Sequence, residues 1–96
     1  MLIELSTFRL VHGTPVDEFT AAETDLATEV LYLQPGFVRR TAATNPDGDW
    51  LALSVWRSPA DADRAAVATA SHGARHRFDT MVDRASLVVR RYSTLE

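Results

Sequence analysis

The chain has 96 residues, 46% of them hydrophobic, with no cysteine, ten basic against thirteen acidic side chains and a formal net charge of -3. Those totals exclude disulfides, thiolate nucleophiles and cysteine-bound metal centres. They also leave no basic face from which nucleic-acid binding could be argued. The length admits one domain, 1–96, with one core. A chain this short buries only about 60–65% of the surface it exposes when unfolded, so it gains from a partner subunit. Nowhere do about 18 apolar residues run together, and Met1–Leu5 contains Glu4 and lacks a basic leader pattern. No membrane association is expected, the cytosol is the default compartment, and no function is placed on the terminal Leu95-Glu96.

Met1–Val11 reads as a strand ended by His12-Gly13. Thr14-Pro15-Val16-Asp17 then starts a helix, with Thr14 as cap, proline in the first turn and an acid two residues further on. Val16, Phe19, Leu26, Val30 and Leu33 recur near a 3.6-residue period and mark its buried stripe. Gln34-Pro35-Gly36 stops it. Phe37–Thr44 is a second strand, Asn45-Pro46-Asp47-Gly48 a hairpin turn and Asp49–Arg57 a third strand. Ser58-Pro59-Ala60-Asp61 repeats the first helix start 44 residues on, which suggests two similar β-α-β halves. The second helix is alanine-rich to about Ala70, is interrupted near His72-Gly73, and resumes as a short turn carrying Phe78, Met81 and Val82. Ala85–Thr94 closes the pattern as a fourth strand.

The order β-α-β-β-α-β implies a ferredoxin-like α+β fold: a four-stranded antiparallel sheet with two helices on one face. The third strand sets Trp50, Ala52, Ser54 and Trp56 on one side and Leu51, Leu53 and Val55 on the other, so neither side reads as solvent-facing. A homodimer formed through the helix-free sheet face is the expected cover.

Gln34-Pro35-Gly36-Phe37-Val38-Arg39-Arg40, Asp47-Gly48-Asp49-Trp50, Val55-Trp56-Arg57-Ser58 and Asp61-Ala62, with Phe78 and Asp83 beyond them, resemble the antibiotic biosynthesis monooxygenase family of dimeric α+β barrels. The same residues have plain architectural readings as a helix stop, a turn and a cap. The resemblance implies a cofactor-independent monooxygenase acting on a small phenol- or polyketide-like aromatic, the protein supplying binding, orientation, desolvation and proton removal. On that reading His72 or His76 is the catalytic base, Trp56 stacks on the substrate, Arg39 or Tyr32 holds an anion, and Phe8 completes the substrate site. Oxidative haem degradation, in relatives of the staphylococcal type, needs an Asn, a Trp and a His where this chain has Phe8, Ala65 and Arg75, so that chemistry is not expected. A non-catalytic small-molecule binder or stress-associated barrel needs only the pocket, and the alanine-rich second helix can leave one against the sheet. His72 and His76 stand four apart, as helical zinc ligands do, but Gly73 weakens that helix, no Glu follows the first His, and no third ligand is at hand. No metal and no cofactor is expected.

Overall fold

The structure, a computed structural model, describes residues 1–95; Glu96 lies outside the described residues. The chain runs β1 (Leu2–Phe8), α1 (Val16–Asp25), β2 (Phe37–Thr44), β3 (Trp50–Trp56), α2 (Pro59–Thr69), α3 (Gly73–Met81) and β4 (Val88–Ser93). The sheet order is β2-β3-β1-β4 with every neighbouring pair antiparallel, the ferredoxin-like arrangement expected from the element order. Among the described residues no helix is long and apolar enough to cross a membrane.

The two proline-led helix starts differ. Before α2, Ser58 Oγ accepts the Asp61 backbone N–H at 3.2 Å and donates to Asp61 Oδ2 at 2.9 Å, with Pro59 in the first turn, as the sequence predicts. Before α1 the helix begins one residue later, and the capping position falls on Pro15, which has no side-chain acceptor to offer. Thr14 is therefore not a cap; its N–H instead closes a turn onto the Val11 carbonyl at 3.0 Å.

The stripe expected along α1 is corrected at both ends. Phe19, Leu26 and Val30 are buried, but Val16 and Leu33 are 58% and 72% exposed. The cause is a π turn over Leu26–Val30, which passes through a single-turn 3-10 segment, Leu31–Leu33, into the Gln34 stop. A π turn accommodates an extra residue and rotates the next side chains about the helix axis, so Leu31 takes the buried place assigned to Leu33.

After Ala70 the second helix breaks where expected, but the segment beyond is a full nine-residue helix, α3, rather than a short turn. The His72 ring makes this possible, its Nδ1 accepting the Ala74 N–H at 3.1 Å. The first and last strands of the chain are shorter than predicted. β1 ends at Phe8 because the Arg9 N–H turns to Ser86 Oγ at 2.8 Å and the Arg9 carbonyl accepts the Asp83 N–H at 2.9 Å. Arg84–Ser86 forms a 3-10 turn capped by Asp83, which delays β4 to Val88.

Pleating sends Leu2, Glu4, Ser6 and Phe8 of β1 and Trp50, Ala52, Ser54 and Trp56 of β3 toward the helices. The core is aromatic. Phe19 meets Phe8, Phe78 and Trp50 at centroid distances of 5.8, 5.2 and 4.8 Å. On the opposite side Ile3, Leu5, Leu51 and Leu53 are only half-buried and no helix covers them.

Candidate functional site

α2 turns Ala62, Ala65 and Thr69 toward the sheet, and these small side chains fill little of the gap. A cavity of about 250 Å³ results, floored by Ser6 and Phe8 of β1 and by Ala52, Ser54 and Trp56 of β3. It is roofed by α2 and by Phe78 and Asp79 of α3. Leu87 and Val89 close one side. This volume lies just under the roughly 300–1,000 Å³ of drug-sized ligand clefts, so it suits a one- or two-ring molecule.

One row of side chains crosses the cavity floor on all four strands. Arg40 of β2 pairs in register with Ser54, Ser54 with Glu4, and Glu4 with Arg91 of β4. From one end, Glu23 of α1 receives the Arg40 guanidinium at 2.8 to 3.0 Å through Nε and Nη2, and Arg40 Nη1 donates to Ser54 Oγ at 3.0 Å. Arg40 also lies 5.4 Å from the centre of the Phe78 ring. From the other end, Arg91 donates to Glu4 at 3.0 Å and to Asp63 of α2 at 2.8 Å. The bond to Asp63, and after it the bond to Glu4, hold the Arg91 guanidinium above its ordinary value, so it remains charged. Arg75 and Asp79 face each other across one turn of α3 at 3.6 Å.

Trp56 is 3% exposed, and its indole Nε1 is buried with no hydrogen-bond partner. A buried donor left unpaired costs about 1–3 kcal/mol. Among the described residues it is the one buried side-chain polar atom without a partner, and it belongs to a residue that lines the cavity. The ring is fixed from behind by Phe37 at 5.0 Å.

Of the residues singled out from sequence, the cavity brings together Trp56 and Phe8. Tyr32 stands outside it, 53% exposed and edge-on to Phe37 at 4.9 Å. Arg39 is exposed and lies in register with Val55, on the helix-free side. His72 and His76 are both exposed and neither lines the cavity; His72 is the α3 cap, its ring accepting the Ala74 N–H. Among the described residues no three of His, Asp and Glu are grouped as metal ligands would be. Sequence reasoning gave no site role to Ser54, Glu4 or Asp79, and of the neighbours Arg39 and Arg40, either of which could clamp an anion, it named Arg39 for the site. A serine inside the apolar run Leu51–Trp56, on the same side as both tryptophans, was the signal available for Ser54.

The fold and cavity define a ferredoxin-like α+β protein with a partly open, partly polar site between sheet and helices. No protein-family model matches the sequence, and no curated protein matches it. Solved structures do share its fold. SnoaB, a cofactor-independent oxygenase from Streptomyces nogalater, superimposes with a TM-score of 0.80 at 18% identity, over 99% of this chain and 93% of that one. An antibiotic biosynthesis monooxygenase superimposes with a TM-score of 0.78 at 11% identity over 100% of both chains. Rv0793 from Mycobacterium tuberculosis gives 0.76 at 14% identity, over 99% of this chain and 95% of that one. The similarity at these identities is one of fold.

Proposed function

We propose that the cavity binds a one- or two-ring aromatic bearing an oxygen acceptor and oxygenates it without a resident cofactor, as a monooxygenase. The observation that carries this reading is the buried, unpartnered indole N–H of Trp56, a residue that lines a partly apolar cavity. The fold shared with a cofactor-independent oxygenase supports it. Trp56 donates to the acceptor oxygen, Phe8 packs on the ring, and the nearby Arg40 guanidinium favours the phenolate or enolate form. A ring methylene of the keto tautomer loses a proton, and the resulting anion reduces dioxygen and forms a C–O bond. The peroxide carbon then loses its second hydrogen as the O–O bond breaks. The methylene becomes a carbonyl and the other oxygen atom leaves as water. All four electrons come from the substrate carbon. Within the cavity the groups able to take the proton are Glu4 and Asp79; His72 and His76, the bases expected from sequence, are set apart from it. We further propose that the protein acts as a homodimer through its helix-free sheet face.

The test is oxygen uptake by metal-free protein in air with dihydroxynaphthalenes, following tryptophan fluorescence in parallel. Turnover above the uncatalysed rate is expected, lost in Glu4→Gln or Asp79→Asn and retained in His72→Ala and His76→Ala. Trp56→Phe, which keeps a ring and removes the N–H, should weaken binding about tenfold. Because both carboxylates are already tied to arginines, a non-catalytic binder is the second reading, and quenching without oxygen uptake selects it. Neither quenching nor turnover overturns both.

A further inference from the structure

We propose that Ser54 is a second ligand anchor beside Trp56, so that the cavity selects a planar ring carrying two separate oxygen acceptors over a ring carrying one. This rests on the reading of the cavity as an aromatic-binding site. Ser54 is 3% exposed and lines the cavity floor two residues before Trp56 on the same face of β3. A serine hydroxyl has one proton to donate and two lone pairs to fill. Arg40 Nη1 fills a lone pair of Ser54 Oγ at 3.0 Å, and Arg40 is itself fixed by Glu23 through three contacts of 2.8 to 3.0 Å.

The proton is a separate matter. Among the described residues Ser54 donates no hydrogen bond at all in the direction of the cavity. The neighbour that could have taken the proton is Glu4, directly across on β1, and its carboxylate is turned to Arg91 instead. The polar row is continuous from Glu23 to Ser54 and from Glu4 to Asp63, and its one break lies between Ser54 and Glu4. With the guanidinium on one side of the oxygen, the hydroxyl proton is free to turn away from it, toward that break.

β3 therefore presents two buried donors, Trp56 Nε1–H and Ser54 Oγ–H, on side chains rooted about 6.5–7 Å apart along the strand. Donors without acceptors reject a ligand that leaves either one unpaired, which is the strongest kind of discrimination a small site can make. A ring with acceptors on two edges satisfies both, and a ring with one leaves Ser54 or Trp56 buried and unmade.

Calorimetric titration with 1,4-naphthoquinone, two carbonyl acceptors, and 1-tetralone, one, tests the assignment. Both are inert to oxygen under these conditions, and the absence of cysteine and lysine side chains removes the usual sites of quinone addition. Wild type is expected to bind the quinone at least tenfold more tightly than the tetralone. Ser54→Ala should weaken the quinone about tenfold while leaving the tetralone within twofold, a split that a general loosening of the cavity would not produce. Should Ser54→Ala fail to fold, Ser54→Cys, of similar shape and a weaker donor, must show the same split in smaller measure. Quinone binding unchanged in both variants overturns the Ser54 anchor alone and leaves the aromatic site standing. Binding of neither compound by wild type overturns both.

Discussion

Thr14 and Ser58 precede the two proline-led helices at matching places, and only Ser58 reaches an N–H. Ser58→Ala is expected to lower stability by about 1 kcal/mol, and Thr14→Ala by less than about 0.5 kcal/mol, in paired urea melts. The same cap sets a pH dependence. The Ser58 hydroxyl first, and Arg64 after it, hold the Asp61 carboxyl below its ordinary value of 3.8. A carboxyl lowered in the folded state stabilises above the unfolded value, and that contribution is lost as pH falls through the folded one. Melting temperature should drop below about pH 4 more steeply in wild type than in Asp61→Asn; parallel slopes would mean that Asp61 is not the linked group. Asp61 is also why position 36 is glycine: at φ +81° a Cβ there would stand 2.3 Å from Asp61 Cγ. The site was legible residue by residue where alternation held. Trp56 and Phe8 face the cavity because the pleat puts them there. Arg39 was preferred to Arg40 as an anion holder, but the β2 register shifts between Phe37 and Arg39, and this bulge turns Arg40 inward and Arg39 out. No composition or period signals a bulge of that kind.

At the scale of the elements, the order of strands and helices, the hairpin and the break after α2 were all readable, because proline, glycine and capping residues punctuate the chain. Two features were not. The π turn in the first helical segment depends on which of Leu31 and Leu33 packs better on the sheet, a tertiary choice. The extent of α3 depends on the imidazole of His72 acting as its cap, a role that leaves the ring tied to its own backbone. The alanine face of α2 is the element-level origin of the cavity, and Ala65, 4% exposed, lines it. Ala65→Leu places three added carbons into existing space. The variant should keep the fold, be more stable by about 1–2 kcal/mol, and lose naphthoquinone binding. A destabilised Ala65→Leu that still binds the ligand would show that the space is not where the ligand goes.

On the whole molecule the helix-free sheet face is the largest feature that a lone chain leaves unfinished. Leu5 and Leu53 lie at its centre in adjacent strands and in register, flanked by Ile3, Leu51 and Val55. Val88 and Tyr92 of β4, 45% and 48% exposed, extend it on one edge, and Arg39 and Arg90 stand at its two rims. Antiparallel sheets tolerate one wet face when that face alternates to polar residues, and the central strands here do not. A second copy packed on this face would cover the leucines, leaving the rim arginines at the boundary where guanidinium groups find carboxylates or water. A stable contact of this kind buries about 1,200–2,000 Å² in total, and it would change the environment of no residue of the cavity, which opens on the other side of the sheet. Wild-type protein is therefore expected to sediment as a dimer at micromolar concentration. Leu53→Asp, which would bury two unpaired carboxylates across the contact, should sediment as a monomer that keeps its helical circular dichroism and its naphthoquinone affinity. A wild type that sediments as a monomer would remove the homodimer; a Leu53→Asp monomer that no longer binds the ligand would mean that the partner subunit helps to form the site.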